Sequence, residues 1–137
     1  MATPLGFAGQ TGKNGCNICT LNTNWTRAMK IATFNINGIK ARYPALCDWL
    51  DESQPDVALL QEIKSVDENF PREMFEERGY NVETHGQKSF NGVAILSKLP
   101  LEDVTRGLPG DDADEQARWI GAPVGGEAHA GRLCGRC

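Results

Sequence analysis

The sequence predicts an α/β fold, on three observations. Two apolar runs, Lys30 to Gly38 and Asp56 to Lys64, each stop at polar residues, as strands buried in a sheet do. Between them lies a stretch with the 3.6-residue apolar period of an amphipathic helix. A strand, a helix and a strand in succession make a crossover unit whose two strands run parallel.

Each element has its own justification. The first strand, Lys30-Ile31-Ala32-Thr33-Phe34-Asn35-Ile36-Asn37-Gly38, closes on the turn-forming pair Asn37-Gly38. A helix is expected from about Tyr43 to Ser53, with Ala45, Leu46, Trp49 and Leu50 on its apolar stripe and Asp48, Asp51 and Glu52 on its wet face. Pro44 suits a helix first turn. Gln54-Pro55-Asp56 ends the helix, because proline cannot continue it and restrains the residue before it. The second strand covers Val57 to Gln61. A second helix is expected over Pro71 to Arg78, closing at Gly79, since glycine most readily takes the left-handed conformation at a helix end. Further strands are expected at Tyr80 to Thr84, Gly92 to Ser97 and Ala117 to Pro123, with weaker ones at Leu101 to Arg106 and Gly131 to Cys134. Glycine and proline thin the chain from Gly121 onward. Pro109-Gly110-Asp111-Asp112 makes Leu108 to Glu115 a loop.

Composition narrows the function. The chain has 137 residues, of which 40% are hydrophobic and 23% charged. That is one globular domain by length, and no run reaches the ~20 apolar residues of a membrane span. A net charge of −4 counts against a dedicated nucleic-acid binder. The acids are unevenly placed, however, with Asp111, Asp112, Asp114 and Glu115 in one loop and Glu73, Glu76 and Glu77 on one helix. Lys40, Arg42, Lys64 and Lys88 remain available to phosphates. Five cysteines without a secretory signal point to a reducing, cytoplasmic compartment. The stretch Met1 to Ala28 has no acid and is rich in Gly, Thr and Asn. It reads as a disordered or non-native extension, with the folded domain running from Met29 to Cys137.

Chemistry concentrates at the two strand ends. Open α/β proteins place their sites at such a rim, and Glu62 there is a hard-oxygen donor suited to Mg²⁺. The competing reading is a solvated carboxylate paired with Lys64, which spacing alone favours. Asn35 offers an amide that can orient a carboxylate or donate to a phosphate oxygen, against a plain turn role. Asn37-Gly38 is the more turn-like of the two. Lys40, Arg42 and Lys64 are candidates for phosphate contacts. Asn91 reads as a turn residue and Arg118 as half of a cross-strand ion pair. His85 and His129 read as exposed loop residues, and Cys47 as core. Cys16-Asn17-Ile18-Cys19 and Cys134-Gly135-Arg136-Cys137 raise a rival, a non-catalytic thiol or zinc module.

The wording of several segments carries a resemblance. Phe34-Asn35-Ile36-Asn37-Gly38-Ile39-Lys40-Ala41-Arg42, Leu60-Gln61-Glu62-Ile63-Lys64, Asp67-Glu68-Asn69-Phe70-Pro71, Gly79-Tyr80, Lys88-Ser89-Phe90-Asn91-Gly92-Val93-Ala94-Ile95-Leu96-Ser97 and Ala117-Arg118-Trp119-Ile120 resemble the opening of the exodeoxyribonuclease III family of DNA-repair nucleases. The resemblance runs from about Met29 to about Cys134. It implies the N-terminal part of a four-layered α/β sandwich, here one mixed sheet with outer helices, its second sheet missing. On that view Phe34, Ala58, Leu60 and Ile95 share an inner face left without its partner, which favours aggregation over the monomer expected of the family. It also implies Mg²⁺- or Mn²⁺-dependent hydrolysis of phosphodiesters in double-stranded DNA, as a 3′→5′ exonuclease and an apurinic/apyrimidinic endonuclease at abasic or 3′-blocked ends. Glu62 matches the family's metal-binding glutamate, and Asn35 sits beside the metal. The groups that complete catalysis belong to the second half of such an enzyme. A chain truncated in this way is expected to be inactive alone. Two alternatives stay open within this reading, a phosphoesterase of the same superfamily with a non-DNA substrate and a regulatory half pairing with a separate second half.

Overall fold

The computed structural model describes residues 29–123 in full, and the backbone course of three further strands, Ala8–Thr11, Asn17–Leu21 and Leu133–Arg136. In chain order the elements are β1 (Ala8–Thr11), β2 (Asn17–Leu21), β3 (Met29–Asn35), α1 (Ile39–Ser53), β4 (Val57–Gln61), a 3₁₀ turn (Asp67–Asn69), α2 (Arg72–Glu76), β5 (Asn81–His85), β6 (Val93–Ser97), β7 (Thr105–Arg106), β8 (Trp119–Ala122) and β9 (Leu133–Arg136). They form a six-stranded sheet in the order β1-β2-β3-β4-β6-β5 and a three-stranded sheet in the order β7-β8-β9. The expected crossover is present: β3 and β4 pair in parallel, with Phe34 opposite Leu60 and Asn35 opposite Gln61. β6 runs antiparallel to both β4 and β5, so the large sheet is mixed. No helix among the described residues is long and apolar enough to cross a membrane.

The helix boundaries differ from the sequence expectation. α1 begins at Ile39, about one turn before Tyr43. The cause is an anchor rather than a cap: Gly38 N–H donates to Glu62 O at 2.8 Å and Ile39 N–H to Ile63 O at 3.0 Å, with Ile39 fully buried. Pro44 therefore lies inside the helix on its exposed side, where it forgoes one backbone hydrogen bond. α2 is shorter than expected, and Gly79 in the left-handed conformation (φ +82°) closes it through N–H to Glu76 O at 2.9 Å.

Within the segment expected to be a disordered or non-native extension, two stretches take strand backbone. Asn17–Leu21 pairs antiparallel with β3, and Ala8–Thr11 pairs with it in turn. The physical reason is the free edge of β3, whose backbone groups require partners, met by a stretch containing Ile18 and Thr20, both good strand formers. The remainder of Met1 to Ala28 lies outside the described residues.

Alternation along β4 and β6 divides the core in two. On one face Ala58, Leu60, Ala94 and Leu96 pack with Leu46, Cys47 and Leu50 of α1 and Phe75 of α2. On the other, Val57, Leu59, Val93 and Ile95 pack with Ile120 and Ala122 of β8. This corrects the expected bare inner face. Phe34, Ala58 and Leu60 lie on the helix side, only Ile95 faces the other way, and the three-stranded sheet covers it. Leu50, Leu60, Ile95 and Ile120 are each 0% exposed.

Polar groups fix the margins. Tyr80, buried between β5 and the end of α1, donates its hydroxyl to Pro55 O at 2.9 Å. Burial, reinforced by Asp56 and Asp51, pushes its phenol up to about 12. At the outer margin of β5, Arg72 donates to Val82 O, and Arg106 donates Nε to Thr84 O at 2.8 Å while pairing with Glu83 at 2.8 Å.

Candidate functional site

β3 and β4 end side by side, and the chain leaves both ends under unusual backbone constraint. Ile36 N–H donates to Gln61 O at 3.0 Å just past the strand register, and the Gly38 and Ile39 bonds to the Glu62 and Ile63 carbonyls continue beyond it. Asn37 (φ +46°), Glu62 (φ +52°), Lys64 (φ +50°) and Asn91 (φ +46°) are all left-handed. Asparagine tolerates that conformation, but Glu and Lys do so at a cost of about 1 kcal/mol or more, and such residues cluster at functional sites. The surrounding backbone holds them. Besides the two bonds from Gly38 and Ile39, Ile63 N–H donates to Gly92 O at 3.1 Å, Lys64 N–H to Asn91 O at 3.0 Å, and Gly92 N–H to Ala117 O at 2.8 Å. Gly92 is needed twice over: its φ is +84°, and a Cβ there would lie 2.6 Å from Ile63 Cγ1.

Side chains converge on the same spot. Asn35 donates Nδ2–H to Glu62 Oε1 at 3.0 Å, and its own Oδ1 accepts Asn37 N–H at 3.1 Å. A backbone donor on one side and a carboxylate on the other fix which way the amide points. Lys64 Nζ donates to Asn37 Oδ1 at 2.5 Å and lies 3.4 Å from Glu62 Oε2. Arg42 donates to Asn37 O. The Asn35 amide holds the Glu62 carboxyl below its ordinary value; desolvation opposes it, and smaller contributions from Lys64 add to the lowering. Glu62 and Lys64 are each about a third exposed, at 37% and 34% of the side chain, so the cluster is open to solvent and to a ligand.

The structure brings Asn35, Glu62 and Lys64 together and adds Arg42. Both cationic groups, however, terminate on Asn37. Lys40 stands exposed in the first turn of α1. Asn37 is the residue that sequence reasoning passed over as a turn former. Its Oδ1 and Glu62 Oε2 face one cation, the Lys64 ammonium. One carboxylate and a neighbouring amide oxygen are a partial but suitable donor set for Mg²⁺, which binds through one or two carboxylates and keeps several waters. Asn35 presents its amide nitrogen to Glu62, while its oxygen accepts the Asn37 N–H. Among the described residues no group of three His, Cys, Asp or Glu side chains is placed to hold a metal ion.

The remaining expectations sort cleanly. Asn91 has turn geometry, as expected, and its amide also donates to Gln116 Oε1 at 3.1 Å and Gln87 Oε1 at 3.4 Å. Arg118 is exposed, and its N–H donates to Gln116 O at 2.8 Å. His85 is not a loop residue: it ends β5, half-buried, and burial lowers its pKa. Asp67-Glu68-Asn69 forms a turn in which Asp67 Oδ1 accepts Gly86 N–H at 2.8 Å. Cys47 is buried, as expected. His129 and the side chains of Cys16, Cys19, Cys134 and Cys137 lie outside the described residues.

Comparison with known proteins agrees with this fold. Residues 32–132 match the model of the endonuclease/exonuclease/phosphatase family. Exodeoxyribonuclease III of Haemophilus influenzae is 48% identical over 96 residues, which is 70% of this chain and 36% of that protein. An AP endonuclease from Archaeoglobus fulgidus shares the fold with a TM-score of 0.68 and 41% identity, over 72% of this chain and 38% of that one. A Neisseria 3′ phosphatase, solved with a product DNA hairpin, shares it with a TM-score of 0.71 and 38% identity, over 77% of this chain and 40% of that one. The chain thus spans little more than a third of the length of the relatives it matches.

Proposed function

Because the chain belongs to the endonuclease/exonuclease/phosphatase family, we propose that it is the metal-binding portion of a DNA-repair nuclease that hydrolyses phosphodiesters in double-stranded DNA at abasic or 3′-blocked ends. The observation that carries this reading is the clasp of Glu62 by Asn35 at 3.0 Å, at the common rim of β3 and β4. A Mg²⁺ or Mn²⁺ ion bound there would polarise the phosphodiester and stabilise charge on the leaving oxygen. Glu62 would hold the ion through its carboxylate. Asn35 would orient that carboxylate and keep it ionised. Lys40, exposed in the first turn of α1, and Lys88, exposed on the loop before Asn91, would serve as phosphate contacts in this reading. The relatives support DNA as the substrate by name: one is an exodeoxyribonuclease and one was solved with a DNA hairpin. Taken alone, the chain is expected to turn over negligible DNA, because general-base catalysis by groups the family supplies from its other half is worth ~10²–10⁴-fold.

The test is a graft. Residues 29–123 replace the matching part of Haemophilus influenzae exodeoxyribonuclease III, and the chimera is assayed on a duplex with one synthetic abasic site. Mg²⁺-dependent cleavage is expected, reduced about 10–100-fold by Asn35→Ala, the range for residues that orient a metal ligand, and more by Glu62→Ala. An active chimera indifferent to Glu62→Ala would sink the assignment.

A further inference from the structure

Lys64 occupies a position that a simple surface lysine would not. Its Nζ lies 2.5 Å from Asn37 Oδ1 and 3.4 Å from Glu62 Oε2, so two oxygens carried by the ends of different strands converge on one positive charge. Its backbone is pinned, left-handed at φ +50° and bonded through N–H to Asn91 O at 3.0 Å. Its side chain is not: the stem is flexible and the group is about a third exposed. Such a residue can leave its oxygens without moving the chain.

We propose that Lys64 is an internal counter-cation that holds the seat of the divalent ion, so that ion binding and the Lys64 contacts to Glu62 and Asn37 exclude one another. The proposal rests on the reading of Glu62 as an ion ligand. A divalent ion on the Glu62 carboxylate would meet the ammonium at close range, and like charges so placed repel. The ammonium would then swing into solvent on the rim that carries Lys40. There it becomes a phosphate contact that exists only in the ion-loaded form. Ion and DNA are thereby coupled through one side chain, each favouring the arrangement the other needs. Without the ion, the same contact keeps Glu62 and Asn37 in place and their charge compensated.

The test measures Mn²⁺ binding to the whole chain by water-proton relaxation, with no DNA and no turnover. Lys64→Met is expected to bind Mn²⁺ about three- to tenfold more tightly than the unmodified chain, the scale of a lost exposed ion pair plus its hydrogen bond. Lys40→Met removes the same charge from the same rim without touching Glu62 and is expected to change binding by less than about twofold. Equal gains from both variants, or none from Lys64→Met, would overturn the proposal. Glu62→Gln separates the two levels: a loss of binding there, with no gain in Lys64→Met, leaves the ion reading standing and the counter-cation reading refuted. Binding indifferent to Glu62→Gln refutes both. The unmodified chain gives a second, independent readout. The ¹⁵Nζ resonance of Lys64 is expected to shift on adding Mg²⁺ to the free-ammonium position, and an unmoved resonance at saturating Mg²⁺ overturns the proposal whatever the variants do.

Discussion

Asn35 reaches Glu62 through its amide nitrogen, at 3.0 Å, although the two are 27 residues apart in the chain. Parallel pairing of β3 with β4 brings them to one rim, and the Asn37 N–H holds the amide in its orientation. A donor aimed at a carboxylate favours the ionised form. Glu62 accordingly titrates below its ordinary range, so its stabilising contacts are present above the unfolded-state value and are lost as pH falls through the lower, folded value.

Asn35→Ala is therefore expected to raise the Glu62 titration toward an ordinary glutamate, read from the side-chain carboxyl ¹³C shift against pH. Because a carboxylate must be deprotonated to bind metal, Mn²⁺ affinity in the variant is expected to fade at a higher pH than in the parent. An unchanged Glu62 titration would show that Lys64 alone sets it.

Gly92→Ala is expected to destabilise the chain by about 2 kcal/mol or more in urea unfolding. The new Cβ meets Ile63 Cγ1 at 2.6 Å with a positive φ, so strain and steric overlap act together. The same variant is expected to weaken Mn²⁺ binding, since Ile63 and Lys64 hang on the Asn91–Gly92 carbonyls. A neutral result would mean that the rim re-forms around the methyl group.

Tyr80→Phe leaves the buried Pro55 carbonyl without its donor and is expected to cost about 1–3 kcal/mol at neutral pH. The pH dependence has a definite sign. The folded-state value of about 12 lies above the unfolded value of about 10, so the contribution of Tyr80 is complete below pH ~10 and is lost as pH rises through ~12. Alkaline unfolding is expected to be less steep in Tyr80→Phe, and an identical profile would assign the transition to other groups.

Ile95→Ala and Leu60→Ala are each expected to cost about 2–5 kcal/mol, since both side chains are fully buried. The pair tests the two faces of the large sheet. A small loss at Ile95 beside a large one at Leu60 would mean that the three-stranded sheet does not cover its side in solution.

Much of this arrangement is legible in the residues alone. The runs ending at Asn35 and Glu62 announce their strands, and the Leu46–Leu50 stripe announces the helix between them. What escaped had physical causes. Val93-Ala94-Ile95-Leu96 is apolar at every position, so alternation could not reveal which residues turn toward α1 and which toward β8. Asn37-Gly38 spells a turn, and it is one, but nothing local indicates that Asn37 Oδ1 meets a lysine 27 positions on. Glu62 carries no preference for a left-handed backbone; five backbone hydrogen bonds from Gly38, Ile39, Ile63, Lys64 and Gly92 hold the rim on which it takes one. The start of α1 is set by bonds to the Glu62 and Ile63 carbonyls that follow β4 rather than by a capping side chain.

The two guanidinium groups along β5 have a consequence for how molecules of this protein meet. The carbonyls of Val82 and Thr84 are taken up by Arg72 and Arg106. A strand from a neighbouring molecule arriving at that margin would find the Val82 and Thr84 carbonyls already occupied. Lateral growth of the sheet is thus blocked at one end by residues of the chain itself. Charge reversal at Arg72 and Arg106 would remove both guanidinium donors and reopen this margin to lateral pairing.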